Sequence, residues 1–192
     1  MALLHHPMTN RKGEVVTTAV TNLDIHDIAR SACTYGMKRY FILTPIAVQH
    51  ELVGRILGHW QKPQSKEFHP DRFEALSLVK LVHQFSEIRS IIREECGEDP
   101  EVVMTDARPL DDPKFSEPMS YADYRRILEE PGRTRPALIV FGTGWGIEKS
   151  FYPEVDRILA PIYGFQGAEG YNHLSVRAAV AIILDRLRGT SA

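Results

Sequence analysis

Residues 138–150, LIVFGTGWGIEKS, carry three glycines two residues apart, Gly142, Gly144 and Gly146, at the end of an apolar run, with Trp145 between the last two. Such a run reads as a buried strand ending in a loop whose backbone must approach something closely. Four partners are open from this stretch alone: a phosphate, a dinucleotide, another ligand, or the rest of the protein. The dinucleotide fingerprint needs Gly-x-Gly-x-x-Gly, and Ile147 stands where its third glycine belongs. A phosphate loop needs Gly-Lys-Ser/Thr after four spacer residues, which GIEKS does not supply. The stretch therefore fits a backbone-lined cradle for a ligand with little phosphate, or a tight structural turn.

Two more strand-to-loop transitions follow. RILAPIYGFQG (157–167) runs a short strand into a Pro-Ile-Tyr-Gly turn, and AEGYNHLSVRAAV (168–180) enters a last helix that Asn172 or Ser175 can cap. Three such transitions near the C-terminus can line one pocket, because ligands of open parallel sheets bind at the carboxyl ends of the strands. A second group lies in TNLDIHDIARSACTYGMKRYFIL (21–43). There His26 and Arg30 are four apart on one helix face, and Asp27 lies three before Arg30. They read either as a surface ion pair with a structural histidine or as a polar cluster offered to a polyanionic substrate. The eight histidines show no metal-ligand spacing. HELVG (50–54) lacks the second histidine of a zinc-protease helix, and no Gly-x-Ser-x-Gly elbow occurs. No metal is expected.

The elements that must position these residues alternate. Apolar strand-like runs fall at 1–5, 40–44, 76–82, 102–105, 138–141 and 157–160. Helical periodicity falls at 24–36, 46–60, 85–96, 121–130 and 174–187, with Asp24 and Ser120 as N-caps. This order predicts an α/β fold, a parallel sheet with helices on both faces. Stretches 61–71 and 106–118 read as long loops, and 13–21 as a loop or a short extra strand. The last helix is apolar nearly all round, apart from Arg177, Asp185 and Arg186, so it needs cover on every side, from other loops or from a second subunit. The chain has 192 residues, 43% hydrophobic and 25% charged, with net charge −2. That is one domain's worth of core, without the strong positive field of a non-specific nucleic-acid binder. Cys33 and Cys96 are far apart, no apolar run would span a membrane, and no secretion signal is read. A single domain over 1–192 in the cytoplasm is expected.

The order FGTGWGI, LAPIYG, NHLSVRAAVAIILDRL resembles the three C-terminal cofactor loops of the SPOUT superfamily, the knotted S-adenosylmethionine-dependent RNA methyltransferases. ALLHHP and GEVVTTAVTNLDIHDIARSA extend the likeness, to a small bacterial branch, over nearly the whole chain. The resemblance implies a C-terminal trefoil knot, which no periodicity predicts. It implies a homodimer with RNA, tRNA or rRNA, as substrate. It implies S-adenosyl-L-methionine held mainly by the backbone at Phe141, Gly142, Thr143, Gly144, Gly146, Ala160, Ile162, Gly164, Asn172, Leu174 and Ser175. IARSACTYGMKRYFIL is also similar to the first motif of the ribose 2′-O-methylating, TrmH-like branch, in which an asparagine precedes an arginine that acts at the ribose. Arg30 matches the arginine. Asn22 stands eight residues before it, Asp24 lies nearer the family position, and Asn172 comes one place early in its own motif.

Methyl transfer from a sulfonium is an in-line displacement, so the protein must align the acceptor and remove its proton. Arg30 is expected beside the acceptor, with Asn22, as an orienting or charge-stabilising group, since guanidinium stays protonated. Asp24 and His26 are the candidate bases. Ribose 2′-O-methylation is the leading expectation. Base methylation by the same fold, or a non-catalytic cofactor- or RNA-binding adaptor, are the alternatives.

Overall fold

The computed structural model describes residues 1–167 and 169–190. Ala168, in the loop over 168–180, and the last two residues of the expected 1–192 domain lie outside the described residues. Six parallel strands form one sheet: β1 (Ala2–Leu4), β4 (Tyr40–Leu43), β5 (Val79–Val82), β6 (Glu101–Met104), β7 (Ala137–Phe141) and β8 (Arg157–Ile158). Their order is β5-β4-β1-β7-β6-β8. A two-stranded antiparallel ribbon, β2 (Met8–Thr9) and β3 (Val15–Val16), sits apart from it. The strands read as continuous apolar runs because both faces are covered. Leu3, Ile42, Val103 and Ile139 face a layer made by α1 (Asn22–Thr34), α2 (Ala47–Trp60), α4 (Pro70–Ser77), α6 (Tyr121–Leu128) and α7 (Val176–Arg188). Leu4, Phe41, Met104 and Val140 alternate to the other side, against α5 (Phe85–Cys96) and the 3-10 turn Lys149–Glu154.

Several expectations shift at element ends. α1 starts at Asn22, and its N-cap is Thr21, whose hydroxyl accepts from the Asp24 amide at 3.2 Å. Asp24 is thus a first-turn residue rather than the cap. Stretch 61–71, read as a loop, holds α3 (Pro63–Phe68) and the start of α4. Pro63 and Pro70 occupy first helical positions, where a missing N–H costs nothing, so the prolines start helices instead of breaking them. Leu76 and Ser77 finish α4, and the strand read over 76–82 begins only at Val79. Ser120 and Ser175 cap α6 and α7 as read, accepting from the amides of Asp123 and Ala178.

A buried histidine follows the first strand. His5 is fully buried, with Nδ1 3.0 Å from the Thr18 hydroxyl and Nε2 without a partner among the described residues. Burial lowers its pKa from 6.5 to about 4, with Asp24 opposing weakly. Between these values the unfolded chain binds a proton that the native state refuses. Stability is therefore full above pH 6.5 and falls as pH drops toward 4, by about 3 kcal/mol from this residue alone. Urea denaturation across pH 4–7 should show a shallower acid loss in His5→Asn than in the parent; equal slopes would refute the assignment.

Candidate active site

The strand order reverses at β1 and β7, the place where an open parallel sheet offers a crevice. A cavity of about 650 Å³ lies there, over the carboxyl ends of β7 and β6 and beside Thr18 and Ala19. The glycine loop forms one wall. Ile162, Asn172–Leu174 and the first two turns of α7 form another, and Thr105–Arg108, after β6, a third. Phe141, Gly142, Thr143, Gly144, Gly146, Ile162, Asn172 and Leu174 all line it. Ala160, Gly164 and Ser175 do not. The Ala160 carbonyl accepts from the Tyr121 hydroxyl at 2.7 Å, and the Ser175 hydroxyl is engaged in capping α7.

What each glycine approaches is protein. A Cβ on Gly142 would lie 2.7 Å from Ile147 Cγ1; on Gly144 (φ +60°), 3.2 Å from Thr18 Cγ2; on Gly146 (φ +109°), 3.0 Å from Asp106 Oδ2. The loop is held from outside by the segment after β1. Thr9 N–H donates to the Gly146 carbonyl at 3.0 Å, Trp145 N–H to the Thr9 carbonyl at 3.3 Å, and Glu148 N–H to the Pro7 carbonyl at 3.1 Å. The Thr143 hydroxyl donates to the Leu4 carbonyl at 3.0 Å and meets the Thr18 hydroxyl. Strand β1, the ribbon and the glycine loop thus form one hydrogen-bonded unit. Trp145 lines the cavity with about half its surface exposed, and its carbonyl accepts from Arg108 Nη2 at 3.0 Å.

The cavity's charged groups come from three elements. Asp106 Oδ1 accepts from the Arg108 amide at 2.9 Å. Burial pushes the Asp106 carboxyl above the ordinary range, against the lowering effect of Arg108. Asp24 is buried and doubly held: Oδ1 accepts from Arg177 Nη1 at 3.0 Å and Oδ2 from the Thr21 hydroxyl at 2.6 Å. Arg177 reaches on to Asp27 at 3.4 Å. Of the other sequence candidates, Asn22 and His26 lie on the opposite face of α1 and line a separate cavity. Arg30 is exposed and lines neither cavity.

Sequence reasoning missed Asp106, Arg108, Thr18 and Arg177. The strand-end rule applied to β6 would have reached Asp106. Thr18 and Arg177 left no local signal, since they arrive by tertiary folding. Apolar walls from Phe141, Ile162, Leu174 and Ile183, beside the carboxylates of Asp24 and Asp106, suit a ligand carrying an aromatic ring and a sulfonium. The backbone of the glycine loop and the Asn172 region would hold it. Among the described residues no group of three or more His, Cys, Asp or Glu could bind a metal, and no helix is long and apolar enough to cross a membrane.

The fold is shared with the SpoU methyltransferase AviRb of Streptomyces viridochromogenes, solved in complex with AdoMet. The TM-score is 0.53 at 18% identity, over 97% of this chain and 58% of that one. Residues 1–189 match the family described as SAM-dependent RNA methyltransferase, and the chain belongs to it. A tRNA (guanine-N(1)-)-methyltransferase of Oleidesulfovibrio alaskensis is 40% identical over 188 residues, which are 98% of this chain but only 41% of that protein. The chain thus spans about two fifths of that relative's length. An uncharacterized protein of Aquifex aeolicus is 40% identical over 187 residues, 97% of this chain and 86% of that one.

Proposed function

We propose that this protein methylates a ring nitrogen of a tRNA base, in the cytoplasm, with Asp106 as the group that accepts the proton. The observation that carries the reading is Asp106 itself: a half-buried carboxylate on the cavity wall, in no ion pair among the described residues, with its pKa raised by desolvation. A carboxyl raised this way is a better proton acceptor for an N–H than an ordinary one. Asp24, the expected base, is tied to Arg177 and Thr21, and it serves better as the fixed floor of the cavity. When bound, the cofactor supplies an electrophilic methyl group. The chain's own residues hold the acceptor in line, exclude water with Phe141, Ile162, Leu174 and Ile183, and take the proton at Asp106. The name of the Oleidesulfovibrio relative points to the same acceptor class, but that chain is more than twice as long, so the name does not assign its activity to the shared part.

A second reading, ribose 2′-O-methylation, is favoured by Arg30 and its match to the TrmH-like first motif. Since Arg30 faces away from its own cavity, it would act in the cavity of a second copy. Support for a dimer comes from the outer side of α7, where Ala178, Ala181 and Ile182 are only half-buried, and from exposed Phe165, Tyr171 and Leu174 near the mouth. A C-terminal segment threaded as a knot belongs to the same reading, supported by the path of the chain from β7 out to β8 and back to α7 on α1.

Mass spectrometry of nucleosides in tRNA from a strain lacking the protein tests the readings together. Loss of one N-methylated base supports the first, loss of one 2′-O-methyl nucleoside the second, and an unchanged profile in all RNA opposes both. Arg30→Ala should retain cofactor binding by calorimetry and lose transfer about 100-fold. If Arg30 works across a dimer, mixing it with a cofactor-binding-deficient copy should restore about a quarter of the parent rate; no recovery would place Arg30 elsewhere.

A further inference from the structure

A second cavity, of about 480 Å³, opens on the far side of α1, between α1, α2 and α4. The last turns of α2 bring Arg55, Ile56, His59 and Trp60 to it, α4 adds Arg72, and α1 adds Asn22 and His26. Trp60 is its centre. The Arg72 guanidinium stacks 4.6 Å from the indole centroid, and the rings of His26, His59 and His69 stand near-perpendicular to the indole at 5.2–5.7 Å. Lys62 and Lys66 follow on the adjoining turn and α3.

The chemistry of the lining is one-sided. No carboxylate lines the cavity, and neither Arg55 nor Arg72 forms an ion pair among the described residues. On a chain of net charge −2, where most of the other arginines are ion-paired, this local surplus is not a by-product of composition. His26 Nδ1 is buried without a partner among the described residues, and burial together with Arg72 lowers the His26 pKa. The imidazole is thus kept neutral beside the indole. The imidazoles do not form a metal site, since no such group is found among the described residues. Unpaired guanidiniums beside a half-buried indole suit a ligand that is at once polyanionic and flat-faced. A single nucleic-acid strand has both properties: phosphates for the arginines, and a base face to stack on the Trp60–Arg72 pair.

We propose that this cavity is a base-stacking subsite for a single-stranded segment of the RNA substrate, next to the reacting nucleotide in the strand. The proposal rests on the RNA methyltransferase reading and extends it to how RNA is held. Its position fits. Asp24 lines the cofactor cavity, while Asn22 and His26, within the same helical turn, line this one, so only the thickness of α1, about 10 Å, separates the two. A strand gripped at Trp60 would place a neighbouring nucleotide at the methyl-transfer site. The domain would then select RNA without an appended binding module.

The test uses fluorescence anisotropy with a labelled 12-nucleotide single-stranded RNA and with unfractionated tRNA, alongside calorimetric titration of S-adenosylhomocysteine. Trp60→Ala should weaken binding of both RNAs about tenfold or more. Arg55→Gln/Arg72→Gln, which changes two exposed side chains and leaves the core alone, should lower the slope of log K against log salt by about 1.4. Both variants should bind S-adenosylhomocysteine as the parent does. RNA affinity and salt slope unchanged in the double variant, with cofactor binding intact, would overturn the subsite and leave the methyltransferase reading standing. If the parent binds cofactor but neither RNA, the subsite falls, and with it this reading of the substrate.

Discussion

Asp106→Asn should lower kcat/KM for methylation of tRNA from a deletion strain by about 10²–10⁴-fold, the usual range for losing a general base. The amide keeps the shape of the carboxylate, and its oxygen can still accept from the Arg108 amide. The loop after β6 therefore stays in place, and affinity for S-adenosylhomocysteine should remain within about threefold of the parent. The parent's pH profile adds a second check. A base raised above the ordinary carboxyl range makes kcat/KM decline on acidification earlier than a normal carboxylate would, and the acid limb should vanish in the variant. Parent-like activity in Asp106→Asn would return the role of base to Asp24 or to a group of the RNA itself.

A Gly146→Val chain is expected to lose cofactor binding beyond measurement, at least about 100-fold. Two effects add. The backbone at φ +109° is one that a β-branched residue rarely adopts, at a cost of roughly 1–3 kcal/mol. The new side chain also meets Asp106 Oδ2 at 3.0 Å and would push it across the cavity. The comparison that separates them is Gly97→Val. Gly97 ends α5 at φ +78°, and a Cβ there meets nothing within 4 Å. It should lose similar stability in urea titration yet bind S-adenosylhomocysteine normally at a temperature where it is folded. Equal binding losses in the two would mean that Gly146 acts only through stability.

These outcomes bear on the fold as well, because the glycine loop is not a free cradle. It is strapped by Pro7, Thr9 and Thr18, residues more than a hundred positions away. A ligand pocket built this way is stiff before the ligand arrives, which reduces the ordering cost of binding. The same strap connects His5 to the site through Thr18 and Thr143, so the pH-dependent stability of His5 and the integrity of the cavity are expected to fail together in acid.

Much was readable from sequence alone. Buried parallel strands declare themselves as apolar runs, which is why β1, β4, β6 and β7 lie where the runs do. Ser120 and Ser175 cap helices through contacts three residues long, a range that local pattern captures. Two of the three C-terminal loops are strand ends, after β7 and β8, while the third leads into α7 with no named strand before it; most of their named residues line one cavity. The tertiary structure decided what local pattern could not hold. Whether Pro63 and Pro70 break helices or begin them depends on what packs beneath α3 and α4. Whether Asp24 is a base or half of an ion pair depends on Arg177, which is 153 residues away. Asp106 becomes a site residue only because β6 lies beside β7, and Trp60 acquires its cavity only where three helices meet. Spacing along the chain carries information over a few residues; charge, burial and pKa are set by neighbours in space.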